Sequence, residues 1–194
     1  MRTPLVPHAL GLLHAGLPGL VFREKDLEEG VFTDMARRLR TKAEEVGALL
    51  LVTNRLEVAV RIGAHGVHLG GDGPSLSEAR CAFGAEALLG ASLHRGDDPH
   101  DPVWQEADYF FYSPIFTSVS KPGVPPLGIE ALADFCRRAA RPVFALGGVT
   151  PETMRACHAA GAHGAAVVGS LASQDAAATQ LPDWAPVGGE PSPV

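Results

Sequence analysis

The stretch PVFALGGVTPETMRACHAAGAHGAAVVG, residues 142–169, contains two apolar runs separated by a segment of helical character. Both runs are continuously apolar, as is typical of parallel strands that are covered on both faces. Thr150 and Pro151 mark the start of the helix, because threonine is a common N-cap and proline is favoured at the first helical position. The stretch therefore predicts a strand, a helix and a second, parallel strand.

The same alternation extends upstream. Apolar runs at 1–6, 19–24, 48–54, 66–70, 87–94 and 107–116 predict six more strands, and helical patterns fall at 8–15, 31–47, 56–64, 75–84, 102–106 and 129–140. Eight strands without a hairpin predict a single-domain α/β fold, the (β/α)₈ TIM barrel with parallel strands. A doubly wound open sheet is the alternative, because the helices at 8–15 and 102–106 are short. We assign the barrel to residues 1–180 and a Pro/Gly-rich tail to residues 181–194.

Composition limits the partners of this chain of 194 residues. The formal charge of −6 argues against a nucleic-acid groove or an anionic membrane surface as partner. Cys81, Cys136 and Cys157 lack metal-ligand or redox spacing, which fits a reducing cytoplasm. The apolar N-terminus is interrupted by prolines and is too short to span a bilayer. We therefore expect a cytoplasmic protein with a small-molecule ligand, and the oligomeric state, a homo-oligomer included, stays open.

Glycines at the ends of the last two predicted strands indicate an anion site. In TIM barrels the carboxyl ends of the strands build the active site, often with a phosphate held by the last two. Gly147 and Gly148 permit close approach to the backbone, and Gly169 and Ser170 precede a helix N-terminus, which favours anions. The pattern favours a phosphate ligand over the alternative of tight turns alone.

Two polar segments add candidate ligands for an anion. Arg23 and Lys25 lie two residues apart at a strand end, so both side chains can face the mouth of the barrel. Ser118, Ser120 and Lys121 offer hydroxyl and ammonium donors in a loop after a later strand. Each segment taken alone is also compatible with an ordinary solvated surface.

Histidines near strand ends are candidates for proton transfer. His68 and His94 both lie at or near the carboxyl end of a predicted strand, where a neutral imidazole can move protons near pH 7. A buried, hydrogen-bonded structural histidine is the alternative for each. His65 and His163 precede strands, so we expect them at the opposite rim in structural roles. No zinc spacing, GxGxxG or GxSxG motif is present.

Successive phrases of the chain resemble motifs of a known family. FREK, TNRLEVA, GAHGVHLGGD, LLGASLH, ADYFFYSPIFTSVSK, PVFALGGVTPE and GAAVVGSLA follow the order of the thiamin phosphate synthase superfamily, which includes the thiazole tautomerase (TenI) branch. The resemblance covers residues 19–173. It implies a (β/α)₈ barrel and a phosphorylated thiazole as the small-molecule ligand.

The resemblance also implies roles for individual residues. Synthases of the superfamily join a pyrimidine pyrophosphate to a thiazole phosphate. The thiazole phosphate is then implied to bind at the glycine-bearing strand ends, and the pyrophosphate at an Arg-x-Lys pair and a hydroxyl-rich loop. The corresponding residues here are Gly147, Gly148, Gly169 and Ser170 for the phosphate, and Arg23, Lys25, Ser118, Ser120 and Lys121 for the pyrophosphate. Asn54 and Ser113 are implied to lie in the same pocket.

Two acidic positions depart from the synthase pattern. Synthases have Asn-Asp where this chain has Thr53 and Asn54, and that aspartate is a magnesium ligand; a second acidic ligand corresponds to Gly73, beside Asp72. Magnesium on a pyrophosphate is usually held by one or two protein carboxylates. The departures remove both, so no metal and no cofactor is expected unless the synthase alternative holds.

The tautomerase branch lacks this metal site as well, and it aromatises a carboxythiazole phosphate by moving a proton. Its histidine base corresponds to Pro114 here, so that role cannot be transferred. We assign the proton transfer to His94, with His68 in reserve, and the contact with the substrate carboxylate to Lys25 or Arg23.

Three hypotheses for function follow. A metal-independent, TenI-like thiazole tautomerase, an isomerase, is the first. A thiamin phosphate synthase, a transferase, is the alternative, and a noncatalytic protein that binds a thiazole phosphate is the third. The sequence favours the tautomerase, because a cationic mouth with histidines at its rim exceeds what a sensor needs.

Overall fold

Seven short strands and six α-helices alternate along the described part of the chain. The structure is a computed structural model that describes residues 5–120, 122–168 and 171. The strands are β1 (Gly19–Phe22), β2 (Leu49–Thr53), β3 (Gly66–Leu69), β4 (Leu88–Leu93), β5 (Tyr109–Tyr112), β6 (Val143–Leu146) and β7 (Gly164–Ala166). The helices are α1 (Leu5–His14), α2 (Glu29–Val46), α3 (Leu56–Arg61), α4 (Leu76–Phe83), α5 (Ile129–Arg138) and α6 (Pro151–Ala159), with a 3₁₀ turn at Pro102–Trp104.

All seven strands are parallel, and their order in the sheet is their order in the chain. A doubly wound sheet would reverse its strand order at a switch point. No reversal occurs between β1 and β7, so the doubly wound alternative is wrong. The predicted parallel α/β class is confirmed, and the architecture is TIM-barrel-like.

The N-terminal strand predicted at residues 1–6 is wrong. Its described residues, Leu5 and Val6, belong to α1. Val6, Ala9, Leu12 and Leu13 are buried at intervals of three to four residues, which is the spacing of one helical face. The apolar run therefore packs as a helix, and the helix predicted at 8–15 begins earlier. The sheet has seven strands within the described residues, and a closed eight-stranded barrel stays a prediction.

The core lies between the sheet and the helices. Leu50 and Val52 of β2 and Val67 of β3 are fully buried on the helix side, in one hydrophobic core with Phe32 and Leu39 of α2. The opposite, concave face carries aromatic and polar side chains. His68 stacks on Phe111 with 4.1 Å between ring centroids, and Tyr109 and Phe144 lie beside them. This concave face leads to the carboxyl ends of the strands.

Helix ends follow the local sequence. The Glu28 carboxylate accepts from the N–H groups of Gly30 and Val31, which begins α2 two residues before the predicted start. Gly47 ends α2 in the left-handed region at φ 71°.

None of the helices in the described part of the chain combines the length and the apolar character that a membrane span requires.

Replacing Gly66 with alanine tests the close approach of β3 and β4. A Cβ at Gly66 would lie 1.9 Å from the carbonyl oxygen of Leu88, a backbone atom that cannot move without breaking the sheet pairing. We expect Gly66→Ala to lower the free energy of unfolding by about 1–3 kcal/mol or more. Gly19→Ala is the matched control, because a Cβ at Gly19 of β1 meets Leu49 at an ordinary 3.8 Å. Urea unfolding of both variants measures the effect, and equal stability would contradict the close packing.

Candidate anion-binding site

The register of the sheet determines which side chains share the concave face. Partners in neighbouring parallel strands face the same side, and Thr53, His68, Gly90 and Tyr109 are successive partners across β2 to β5. Ser92 pairs with Phe111 on that same face. These residues lie along the path to the carboxyl ends of the strands, where α/β barrels build their sites.

Arg23 and Lys25 lie in the segment directly after β1, which ends at Phe22. Val21 is the partner of Leu51, and Leu51 is the partner of Gly66, so odd-numbered residues of β1 face inward. The alternation continued by one residue directs Arg23 to this face, whereas Lys25 lies in a bend beyond the strand. Lys25 reaches the mouth through its contact with Asp72, which follows β3, and the roles of both cations stay predictions.

Lys25 belongs to a hydrogen-bonded network that joins three strand ends. Its Nζ donates to Asp72 Oδ2 at 2.9 Å, and Asn54 Nδ2 donates to Asp72 Oδ1 at 2.7 Å. The Gly70 N–H donates to Asn54 Oδ1 at 2.8 Å. Asn54 has φ 56°, a left-handed conformation that asparagine tolerates better than most residues. We call Lys25, Asp72 and Asn54 the mouth triad.

Arg55 holds the backbone segment that carries Lys25. Its Nη2 donates to the carbonyl oxygens of Glu24 at 3.3 Å, Lys25 at 3.4 Å and Leu27 at 2.7 Å. The guanidinium also lies 4.3 Å from the ring centroid of Phe32, a cation–π contact. Sequence reasoning missed this residue, and its position directly after Asn54 is the signal that could have drawn attention to it.

His68 is buried and engaged on both ring nitrogens. Nδ1 lies 3.1 Å from the Tyr109 hydroxyl, and Nε2 lies 2.8 Å from Ser92 Oγ. Gly90 makes room for this contact, because a Cβ there would lie 2.1 Å from Tyr109 Cζ. Burial, assisted by the charge of Arg23, lowers the pKa of His68 to about 3. The imidazole is therefore neutral near pH 7 and poorly suited as a general base.

His94 lies in a different environment, directly after β4. Its side chain is 46% exposed, and Nδ1 lies 3.9 Å from Asp97 Oδ2. The same carboxylate accepts from the His94 backbone N–H at 2.6 Å. Since Gly90 and Ser92 face inward, the alternation of β4 directs residue 94 to the mouth as well. His94, unlike His68, is thus accessible to a ligand.

The glycine pair after β6 meets the protein's own chain. A Cβ at Gly147 would lie 2.8 Å from Pro114 Cβ, and one at Gly148 would lie 2.3 Å from the Thr117 carbonyl oxygen. Both glycines have positive φ, 95° and 66°. Two backbone bonds tie the loop after β5 to this segment: Ile115 N–H to Leu146 O and Phe116 N–H to Gly147 O, each 2.9 Å. Close packing of that loop therefore requires the glycines, whatever ligand binds beside them.

Some of the remaining predicted residues are described by the structure, and others are not. Ser118 and Ser120 lie in the loop after β5, where the Ser120 N–H donates to Ser118 Oγ at 3.3 Å. Ser113 is buried at the end of β5, and its N–H donates to Leu93 O. Lys121, Gly169 and Ser170 lie outside the described residues, so their roles stay predictions.

The residues at the implied magnesium position do not fit that ion. Asp72 is the one carboxylate of the mouth triad, and both of its oxygens already accept from Lys25 and Asn54. Magnesium prefers near-octahedral oxygen coordination anchored by carboxylates. Across residues 5–120, 122–168 and 171, no cluster of three or more His, Cys, Asp or Glu side chains could hold a metal ion.

The fold and the mouth together define a TIM-barrel-like α/β domain with cationic and hydroxyl side chains at its strand ends. The family model described as thiamine monophosphate synthase matches residues 3–171. A thiamine-phosphate synthase of Syntrophomonas wolfei is 34% identical over 157 residues, covering 80% of this chain and 75% of the relative. The chain belongs to the thiamine monophosphate synthase family.

Further relatives agree with this assignment. A thiamine-phosphate synthase of Gloeobacter violaceus is 36% identical over 167 residues, which cover 86% of this chain but 48% of that longer protein. The solved structure of a thiamine phosphate pyrophosphorylase from Pyrococcus furiosus superposes with a TM-score of 0.81, covering 91% of this chain and 87% of that one. Its sequence identity of 23% supports the fold alone. The family match does not separate synthases from the tautomerase branch.

Replacing His68 with glutamine tests the burial of its imidazole. The pKa of His68 falls from an ordinary 6.5 to about 3 in the folded protein. Between these values the unfolded chain binds a proton that the folded chain does not, so His68 makes stability fall as the pH drops through this window. We expect the wild type to lose more unfolding free energy than His68→Gln between pH 7 and pH 5, measured by urea unfolding. Burial also lowers the pKa of His65, but His65 is present in both proteins and does not affect the comparison. Equal losses in unfolding free energy would contradict a neutral, desolvated His68.

Proposed function

We propose that this chain is a thiamin phosphate synthase, which couples hydroxymethylpyrimidine pyrophosphate to a thiazole phosphate and releases pyrophosphate. The observation that carries the proposal is the pair of cations, Arg23 and Lys25, in the segment directly after β1, where Lys25 Nζ donates to Asp72 after the end of β3. The names of the curated relatives support this transferase over the isomerase that the sequence favoured.

The coupling reaction places negative charge on the departing pyrophosphate. The Lys25 ammonium and the Arg23 guanidinium are positioned to stabilise that charge through charge-assisted hydrogen bonds. Arg55 contributes indirectly, since it fixes the carbonyl of Lys25 and its neighbours. We further assign the thiazole phosphate to the segment of Gly147 and Gly148, with Gly169 and Ser170 as partners from the next strand end.

Thr53 supplies a second polar contact for the substrate. Its side chain faces the mouth, as the partner of His68 in the neighbouring strand. Its Oγ1 is buried and has no hydrogen-bond partner among the residues that the structure describes. Buried polar groups are normally hydrogen-bonded. A substrate atom that hydrogen-bonds to this hydroxyl would satisfy it.

The test of this proposal compares products. Purified protein is incubated with both synthase substrates and, separately, with the carboxythiazole phosphate. Coupled product with release of pyrophosphate supports the synthase, and isomerised thiazole supports the tautomerase. Saturable binding of thiazole phosphate with neither product would support the noncatalytic alternative and overturn both enzymatic proposals.

Lys25→Gln tests the role of the Lys25 charge in catalysis. The substitution keeps a polar side chain that is one atom shorter and removes the charge that faces the pyrophosphate. We expect kcat/KM for coupling to fall about 10- to 100-fold, the equivalent of one charge-assisted hydrogen bond. Lys42→Gln is the matched control, because Lys42 pairs with Glu45 on the surface of α2. Steady-state kinetics measure both, and equal activity of the two variants would contradict the role of Lys25.

A thiazole tautomerase is the second candidate, and the absence of carboxylates at positions 54 and 73 favours it. Asn54 and Gly73 stand where the synthases that this chain resembles have acidic metal ligands. The same Lys25 and Arg23 would pair with the substrate carboxylate. Proton transfer then needs a base, and His94 fits better than His68, because His94 is exposed beside Asp97 while His68 is buried with a pKa of about 3.

His94→Asn separates this candidate from the first. Asparagine keeps a polar side chain of similar size but accepts no proton at neutral pH. If the chain is a tautomerase, kcat for isomerisation should fall about 100-fold or more with little change in KM. His100→Asn is the control, since His100 lies exposed in the same loop. Undiminished isomerisation by His94→Asn would remove His94 as the base.

A further inference from the structure

The mouth triad uses the groups that would otherwise be available to a divalent cation. Each oxygen of the Asp72 carboxylate accepts one hydrogen bond, from Lys25 Nζ at 2.9 Å and from Asn54 Nδ2 at 2.7 Å. The Asn54 carbonyl oxygen accepts from the Gly70 N–H. A cation that bound Asp72 would lie beside the Lys25 ammonium, whose positive charge opposes its binding.

Asn54 and Gly73 depend on each other sterically. A Cβ at Gly73 would lie 2.4 Å from Asn54 Oδ1 and 2.6 Å from Asn54 Cγ. The Asn54 amide thus fills the space that a side chain at position 73 would need. With Asn54 in this rotamer a side chain at position 73 has no room, so an acidic residue there would require the Asn54 side chain to rotate away.

Lys25 remains accessible to a ligand within this network. Its side chain is 50% exposed and that of Asp72 is 65% exposed. An ammonium has three donors, and Asp72 engages one of them. Asp72 and Asn54 therefore hold the cation in place while other donors can point to an anion at the mouth.

We propose that the mouth triad binds a diphosphate without a divalent cation: Lys25, oriented by Asp72 and Asn54, supplies the charge that magnesium supplies in the synthases that this chain resembles. Asp72 and Asn54 are positioning residues, and Lys25 contacts the diphosphate. The inference rests on the proposed function for the presence of a diphosphate substrate, but it concerns binding and does not require turnover.

Isothermal titration of the full chain with inorganic pyrophosphate tests the proposal. We expect the affinity in EDTA to equal or exceed the affinity in millimolar Mg²⁺. Lys25→Gln should weaken binding about tenfold or more in both buffers, and Lys42→Gln should not. A wild-type affinity that Mg²⁺ raises about tenfold, no binding in either buffer, or unchanged binding by Lys25→Gln would each overturn the proposal.

Asn54→Asp provides a gain-of-metal test. The substitution places a second carboxylate within hydrogen-bonding distance of Asp72, and two adjacent carboxylates favour a divalent cation between them. We expect Mg²⁺ to raise the affinity of Asn54→Asp for pyrophosphate about tenfold relative to EDTA, with circular dichroism as the check on folding. If Asn54→Asp does not fold, the comparison of wild type, Lys25→Gln and Lys42→Gln still decides. Metal-independent pyrophosphate binding without coupled product would refute the proposed synthase activity and leave this inference standing.

Discussion

The parallel register of the sheet is the constraint on which the candidate site depends. Hydrogen-bonded partners face the same side, so the concave position of His68 determines those of Thr53, Gly90 and Tyr109. A slip of one residue in any strand would turn its concave side chains toward the helices. Gly66 lets the Leu88 backbone of the neighbouring strand approach without a clash, and Gly90 leaves room for the side chains of Tyr109 and His68. Both glycines are therefore compatible with the observed register. The mouth is thus a direct consequence of strand pairing.

Close packing of loops limits which groups are left to recognise a ligand. Gly147 and Gly148 suggest phosphate contacts in the sequence, but in the fold their open sides accommodate Pro114 and Thr117. His68 is likewise committed to Tyr109 and Ser92. Side chains at the rim therefore share recognition with the main chain of the glycine segment. The described candidates among them are Arg23, Lys25, Thr53, His94, Ser118 and Ser120.

The sequence predicts much of the fold because continuous apolar runs and helical spacing are local properties. It fails at residues 1–6, where a short apolar run is ambiguous between strand and helix, and the buried spacing of Val6, Ala9 and Leu13 decides for helix. Alternation along β1 directs Arg23 to the mouth, but it does not extend to Lys25, which lies in a bend after the strand. The mouth triad could not be predicted, because it joins the ends of three strands through the left-handed conformation of Asn54. The burial of His68 also depends on side chains of the neighbouring strands, and the sequence of β3 alone does not identify them.

The charge of the mouth links the two candidate reactions. Losing two carboxylates together with one divalent cation leaves the net charge of the site unchanged. Losing only the carboxylates would leave positive charge uncompensated, and losing only the cation would leave negative charge uncompensated. Asn54 and Gly73 make the complete exchange at two adjoining positions, and Lys25 and Arg23 remain to meet an anion. Coupling and isomerisation both need a cation for an anionic group of the substrate, but isomerisation also needs a base. Lys25 and Arg23 can therefore serve either reaction, and the exposed imidazole of His94 is the group on which the distinction between the two reactions depends.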